Sequence, residues 1–390
     1  MRDLPGILAP GFLRATLANF LFFSNLSAFY LLPLHLKGLG ATESQVGLVM
    51  GVYSATAILC QPLVGGAVDR LGRRPFLLAG AVLAGIASAA FALLPGVFAV
   101  FPLLRLLQGL GYSAFYVATF TLVADLAPAA RRGQTLGLFG TSGLVATAVA
   151  PALGEPVLRL LGFRVFALSA TAVAIGAVLV ALRLAEPPRA LLPASAGLRG
   201  VLRGIAKAPR LPTALAFAFG LGLGVVFTFL PTYAEEVGVR RLGLFFLAYG
   251  TAALSVRTFG GQLIDTLGRR PIILPALLLQ ALGAGLLALL GLLVGPGGLP
   301  ALPFLVLIGG SAGAAHGFLY PALTALIMDV TAPEGRGRAL GVFSAFVLAG
   351  HAFGAMAFGP VAHALGHGPM FALLAGVLLV AFAAAFRLAR

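Results

Sequence analysis

The stretch GGAVDRLGRRP, Gly65 to Pro75, returns as GGQLIDTLGRRP, Gly260 to Pro271, almost half a chain later. Each copy falls between two long apolar runs. That is where a hydrophobic helix leaves a bilayer and the chain turns back. Two copies imply two similar halves, so the chain is read first as an internal repeat.

Of the 390 residues, 60% are hydrophobic and 9% charged. So few charges cannot cover a soluble surface of this size. A bilayer core of roughly 30 Å needs about 20 helical residues. About twelve apolar runs meet that need, centred near Phe22, Tyr53, Gly85, Gly111, Thr147, Ile175, Gly222, Leu247, Leu282, Ala314, Gly350 and Gly376. The expected fold is an all-α membrane protein of twelve transmembrane helices in two pseudo-symmetric six-helix bundles. The bundles are placed at 1–185 and 211–390, with a linker at 186–210. Leu198 to Lys207 in the linker reads as a short amphipathic helix on the membrane surface or as a flexible connection.

A formal charge of +15 invites a nucleic-acid reading, but its distribution argues against one. Arg105 and Arg257 lie inside apolar runs. Of the other basic residues, 19 fall in one set of loops and 5 in the alternate set. The positive-inside rule then places both termini and the linker in the cytoplasm. Cys60 is the only cysteine, which excludes an intramolecular disulfide and a cysteine metal cluster. The first run is too long for a signal-peptide core and is expected to remain as a membrane helix.

The halves align residue by residue. Tyr53 matches Tyr249, Asp69 matches Asp265, Gly72 matches Gly268, and Arg73-Arg74-Pro75 matches Arg269-Arg270-Pro271. Upstream, Phe29 and Pro33 match Phe227 and Pro231. Later, Tyr116 to Phe139 mirrors Tyr320 to Phe343, pairing Asp125 with Asp329. Equal helix counts give both copies one orientation, so they are parallel repeats, a plan common among secondary transporters.

Twelve runs, the 6+6 split and the doubled G-x-x-x-D-x-x-G-R-R loop resemble the major facilitator superfamily over essentially the whole chain. The resemblance implies alternating access and a working monomer. It assigns the loop residues Gly65, Asp69, Gly72, Arg73, Arg74, Gly261, Asp265, Gly268, Arg269 and Arg270 to conformational gating. The alternative is that they anchor helix ends in the headgroups. Gly65 and Gly261 lie one turn before the acid, where a missing side chain lets another helix approach. Arg105, Gln108, Gly109 and Gly111 resemble the family's fourth-helix pattern, linked there to substrate binding and proton transfer. Ala150 to Pro156 is similar to the fifth-helix pattern of proton antiporters, with Ala for two glycines and Glu155 for the last.

Physical reasoning refines these positions. A charge inside an apolar run belongs toward the bundle interior. Helical spacing sets Arg105, Gln108 and Tyr112 on one face, with Tyr116 and Thr119 further along. Arg105 does not release a proton, so it binds an anion, tunes an acid, or is a buried structural residue. Glu155 is read either as a proton-binding carboxylate or as a surface partner of Arg159. Asn25 and Tyr30 on the first helix, and His316 and Tyr320 sharing a face of the tenth, complete the expected substrate and proton pathway with His351 and Arg257.

The expected function is proton-coupled efflux of a small organic or amphiphilic compound across a prokaryotic inner membrane. Alternatives are uptake or exchange of an anionic metabolite, favoured by Arg105 and Arg257, and translocation of an amphiphile between leaflets. No phosphate-binding loop of ATP-driven pumps is present. No carboxylate pair or nucleophile–base set in the apolar runs suggests an enzyme. The expected partners are a small-molecule substrate, protons and the bilayer, with no cofactor, metal or nucleic acid.

Overall fold

The structure, a computed structural model, describes residues 9–128, 132–186, 208–294, 300–331 and 336–387, apart from the side chains of residues 132, 133, 262, 265 and 336–338. Among the described residues every regular element is helical. The helices are α1 (Pro10–Ala28), α2 (Leu32–Gly38), α3 (Glu43–Leu71), α4 (Arg73–Leu93), α5 (Phe101–Leu126) and α6 (Arg132–Leu182). They continue as α7 (Arg210–Glu236), α8 (Gly243–Phe259), α9 (Gly261–Thr266), α10 (Arg270–Leu293), α11 (Ala301–Asp329), α12 (Arg336–Leu365) and α13 (His367–Arg387). Ten spans, counting α1 and α2 as one, are long and apolar enough to cross a bilayer, and α8 is a shorter apolar helix. The linker segment Leu198 to Lys207 lies outside the described residues.

Local chemistry explains several boundaries. Pro10 opens α1 at a position where its missing N–H costs nothing. At the start of α3, Thr42 N–H donates to Gln45 Oε1 (2.9 Å) and Gln45 N–H to Thr42 Oγ1 (3.3 Å), a reciprocal cap. α6 is bent at Gly162, whose φ of 81° and ψ of 170° are not helical.

Gly162 belongs to a larger pattern. Positive φ occurs among the described residues at six glycines: Gly40 (83°), Gly72 (101°), Gly162 (81°), Gly238 (78°), Gly268 (90°) and Gly366 (85°). In the alignment of the halves these form three pairs: Gly40 with Gly238, Gly72 with Gly268, and Gly162 with Gly366. A left-handed backbone needs glycine for lack of a Cβ. The sequence repeat is thus a repeat of backbone turns as well.

The chain divides into two compact units, Met1–Phe29 with Thr56–Val201 and Tyr30–Ala55 with Leu202–Arg390. Within the first, α1 packs mainly on α6, and α4 on α5 and α6. Within the second, α7 packs on α12, α8 on α11, and α10 on α13 and α11. The pairs α1·α6 and α7·α12 are repeat equivalents, as are α4·α6 and α10·α13. The α7·α12 crossing is built on small residues: a Cβ at Gly220 would lie 1.9 Å from Val347 O, and one at Gly224 2.2 Å from His351 O. Such backbone contact is how membrane helices gain packing energy without a hydrophobic drive between them.

Candidate functional site

The first unit gathers its polar groups on α5. Arg105, 3% exposed, donates from Nη1 to Gln108 Oε1 at 2.8 Å, one turn on. The Gln108 amide is fully buried, and its Nε2 has no hydrogen-bond partner among the described residues. An aromatic ladder follows along the same face. Tyr112 stacks on Tyr116 (5.2 Å, 19°), and Tyr116 packs on Phe120 (4.4 Å). Phe23 of α1 meets Tyr112 edge-on at 5.9 Å. Thr119 turns its hydroxyl back to Phe115 O of its own helix. The structure therefore brings Arg105 and Gln108 into direct contact and sets the tyrosines beyond them as a π surface.

Asn25 on α1 is committed differently. Its Nδ2 donates to Ser88 Oγ (2.8 Å) and Ala170 O (2.7 Å), joining α1 to α4 and α6. Glu155 on α6 is 4% exposed and accepts from Arg159 Nε at 2.8 Å. The pairing with Arg159 that the spacing suggested is present, but the carboxylate is buried and not at a surface.

In the second unit the polar group centres on His316 of α11. Arg257 Nη2 of α8 lies 3.4 Å from His316 Nε2, and the guanidinium carbon sits 5.2 Å over the Tyr320 ring. A guanidinium can only donate, so Nε2 accepts and the ring proton sits on Nδ1. That proton faces the Tyr249 hydroxyl oxygen. Phe219 of α7 closes on the imidazole edge-to-face at 5.1 Å. The result is a chain Arg257–His316–Tyr249 in which the histidine bridges a cation and a phenol. Tyr30 stacks near Phe246 (5.9 Å, 6°) and packs on Phe227 (4.8 Å). His351 Nδ1 meets Ser54 Oγ at 3.1 Å. Beside Tyr249 lies an apolar pocket lined by Phe219, Gly222, Gln280, Ile308 and Leu374. Gln280 donates to Phe219 O (3.2 Å).

The two loop motifs resolve into matching ion pairs. Arg73 Nε meets Asp125 Oδ2 at 3.0 Å, and Arg269 Nε meets Asp329 Oδ2 at 3.0 Å. The alignment had matched arginine with arginine and aspartate with aspartate, and the fold joins the two matches. Gly72 and Gly268 supply the turn before each arginine. Arg74 Nη2 donates to Leu182 O (2.8 Å). Asp69 is half-buried, the Asp265 side chain lies outside the described residues, and Arg270 opens α10. Among the described residues the close approach expected at Gly65 and Gly261 is absent. A Cβ at either would meet nothing within 4 Å. In the first unit a close backbone crossing falls instead at Gly80, where a Cβ would lie 2.6 Å from Gly111 O.

Sequence reasoning missed two groups. Glu186, taken as the first linker residue, accepts from the backbone N–H of Arg73 (2.8 Å) and Arg74 (2.7 Å). It caps the positive end of α4. The second group is His367 with Glu43, Glu236, Thr232 and Lys37. Its members come from four separate helices, so no local spacing reveals it. The one available signal was the scarcity of acids, 11 in the chain, which makes each one near an apolar run worth tracing.

Comparison with known proteins decides the family. The family model described as Major Facilitator Superfamily matches residues 15–310 and 242–390. The chain belongs to the Major Facilitator Superfamily. It is an integral membrane transporter and not an enzyme. The staphylopine export protein of Staphylococcus aureus is 24% identical over 394 residues, covering 97% of this chain and 95% of the relative. The chloramphenicol resistance protein of Pseudomonas aeruginosa is 37% identical over 133 residues, 34% of this chain and 32% of the relative. Among solved structures, a POT family transporter aligns with a TM-score of 0.80 at 15% identity, covering 97% of this chain and 95% of that one. The nucleoside transporter NupG aligns at 0.75 and 16%, covering 97% and 98%. At those identities the likeness is one of fold.

Proposed function

We propose that this superfamily member is a secondary exporter of a small organic or amphiphilic compound, driven by protons and working by alternating access in the inner membrane. The observation that carries the reading is the likeness to the staphylopine export protein over nearly the full length of both chains. The shorter match to the chloramphenicol resistance protein points the same way. On this reading the two arms of α6 on either side of the bend at Gly162 are separate crossings and α8 is another, which would make twelve crossings in two sets of six. The pocket beside Tyr249 then receives the apolar part of the cargo. Glu155 is the carboxylate to test as proton carrier. The two Arg–Asp ion pairs brace the gating loops.

Arg105 supports a second reading, an anionic cargo. Arg105 is a permanent cation, 3% exposed, and a guanidinium is suited to bidentate recognition of a substrate carboxylate or phosphate. Inside-out vesicles holding a proton gradient and a pH-sensitive dye test both readings. Lipophilic cations, neutral drugs and organic anions are added in turn, with Glu155→Gln as control. Compound-triggered proton leak that vanishes in the variant is the expected result. Response to organic anions alone, lost in Arg105→Ala, selects the second reading. No response from inserted protein overturns proton-coupled export.

A further inference from the structure

The turns that join α2 to α3, α7 to α8 and α12 to α13 hold a polar cluster that no pathway residue explains. At its centre is His367, the first residue of α13, with a side chain 6% exposed. Its Nδ1 lies 2.6 Å from Glu236 Oε2 at the end of α7. Its Nε2 lies 3.1 Å from Thr232 Oγ1 and 3.6 Å from Glu43 Oε1 at the start of α3. Lys37 of α2 pairs with the same Glu43 oxygen at 2.9 Å. The Tyr233 ring stacks on the imidazole at 5.1 Å and 21°, and its hydroxyl is held by the N–H of Gly291 (2.8 Å). Among the described residues, the charged and titratable groups of the cluster around His367 are Glu43 from α3, Tyr233 and Glu236 from α7, and, through Glu43, Lys37 from α2.

The hydrogen-bond directions are informative. Nδ1 faces a carboxylate, which only accepts. Nε2 faces a threonine hydroxyl and a second carboxylate. The Thr232 hydroxyl is already directed to Phe229 O at 3.0 Å, with Glu43 Oε2 at 3.4 Å. It therefore offers His367 a lone pair and not a proton. Both ring nitrogens then face acceptors, the arrangement suited to an imidazolium. Charge counting agrees. With a proton on both nitrogens, Lys37, Glu43, His367 and Glu236 sum to zero. Without it, Lys37 and Glu43 still neutralise each other and the charge left over is that of Glu236, which then has no cationic partner in the cluster. Glu236 is 59% exposed, so solvent screens part of that charge.

We propose that His367 is a proton-binding site whose occupancy fastens the α2–α3 hairpin to α7 and α13, so that this end loosens as the pH rises. The remaining contacts of α3 with α12 include one polar pair, Ser54 Oγ with His351 Nδ1 (3.1 Å), and close backbone approaches. A Cβ on Gly47 would meet Ala355 O at 2.2 Å, and one on Gly359 would meet Glu43 O at 2.8 Å. Such backbone packing fixes where the hairpin sits without depending on pH. The cluster adds the titratable part. By linkage, an arrangement that holds an extra proton is favoured at low pH and loses that advantage as the proton leaves. The proposal depends on neither the cargo nor the direction of transport.

The test is a pulsed electron-spin distance measurement on the full chain in lipid nanodiscs. Spin labels are placed at Leu39→Cys and Leu365→Cys, 39% and 64% exposed, in a Cys60→Ser background. Samples span about pH 5 to pH 8.5, the range across which histidine changes charge. One short-distance population is expected at the acid end, and a longer one at least fivefold more abundant at the alkaline end. His367→Gln should bring that ratio below 1.5-fold, Glu236→Gln should reduce it partly, and exposed His363→Gln should leave it unchanged. A labelled parent with no pH response overturns the proposal without any cluster variant. So does a full response in His367→Gln.

Discussion

The two units place the same helices at equivalent crossings and build those crossings from different chemistry. In the first, α1 meets α6 through polar contacts. Asn19 Nδ2 donates to Ser142 Oγ (2.8 Å), and Ser27 Oγ meets Thr147 Oγ1 (3.4 Å). Gly143 sits at ordinary distance, with a Cβ 3.7 Å from Phe23. In the second, α7 meets α12 through Gly220, Gly224, Gly350 and Gly354 packed against facing backbone. Hydrogen bonds and close packing are the two means by which helices associate in lipid. A repeat that keeps its turns while exchanging one means for the other has preserved a scaffold and freed its side chains to diverge.

The sharpest way to break that comparison is a single methyl group. Gly224→Ala would set a Cβ 2.2 Å from His351 O, and a backbone cannot rotate aside as a side chain does. The expected cost is about 3 kcal/mol, at the upper end for overpacking. Folded yield by fluorescence-detected size exclusion should collapse. Gly143→Ala in the first unit should give the parent's profile. Equal behaviour of the two variants would show that the crossings do not differ as described.

The next contrast lies on α5 and its equivalent α11. Tyr112 corresponds to His316 and Tyr116 to Tyr320, but the arginine arrives differently. In the first unit Arg105 comes from the same helix and is held by Gln108. In the second Arg257 comes from α8, half-buried, and is held by His316 and the Tyr320 ring. Removing Arg105 takes the charged donor from Gln108 Oε1 and the only cation from this face of α5, so transport by Arg105→Ala should fall roughly tenfold or more. Arg105→Lys should not restore it, because an ammonium lacks the planar fork. Arg257→Ala should reduce transport less, since part of its environment is solvent. Vesicle flux, normalised to inserted protein, ranks the three. A larger loss for Arg257 than for Arg105 would invert the assignment of roles.

How much of this was legible beforehand depends on sequence distance. Gly72 and Gly268 stood out because a repeated turn repeats its glycine. Arg105 and Gln108 stood out because a contact three residues apart follows from helical geometry alone. The pairing of Arg73 with Asp125 was half visible, since both residues were matched to their repeat equivalents but not to each other. Glu186 was hidden by its setting. A single acid in a Pro- and Arg-rich stretch gives no sign that its carboxylate spans two backbone N–H groups of a distant helix. His367 was hidden more deeply, because its partners come from α2, α3 and α7 and no periodicity links four helices. Glu155 was recognised as notable, and the structure adds burial to the Arg159 pairing that spacing suggested.

The ion pairs at the two loop motifs offer a smaller test. The distances agree at 3.0 Å, but the exposures do not. Arg73 and Asp125 are 7% and 35% exposed, against 26% and 50% for Arg269 and Asp329. A buried pair costs more to break, because the surviving charge is left poorly solvated. Arg73→Ala should therefore destabilise by about 1–2 kcal/mol, less than the full buried-pair cost because Asp125 keeps some water. Arg269→Ala should cost under about 1 kcal/mol. Thermal unfolding in detergent at low and high salt separates them, since the more exposed pair is the more readily screened. Identical shifts would mean that the loops, and not the ion pairs, set the local stability.

The smallest expected effect concerns the polar crossing itself. Asn19 is 1% exposed, and its bond to Ser142 is the shorter of the two side-chain to side-chain bonds described between α1 and α6. Intuition assigns such a bond a large value in lipid, where a lost partner is not replaced by water. Ser142, however, also donates to Phe139 O (2.7 Å), so it keeps a partner when Asn19 is removed. Side-chain hydrogen bonds between membrane helices average only about 0.6 kcal/mol by double-mutant cycles. The coupling between Asn19→Ala and Ser142→Ala should fall near that value, far below the penalty at Gly224. A coupling of several kcal/mol would mean that the first unit depends on one hydrogen bond as heavily as the second depends on its glycines. The two crossings would then differ in chemistry but not in fragility.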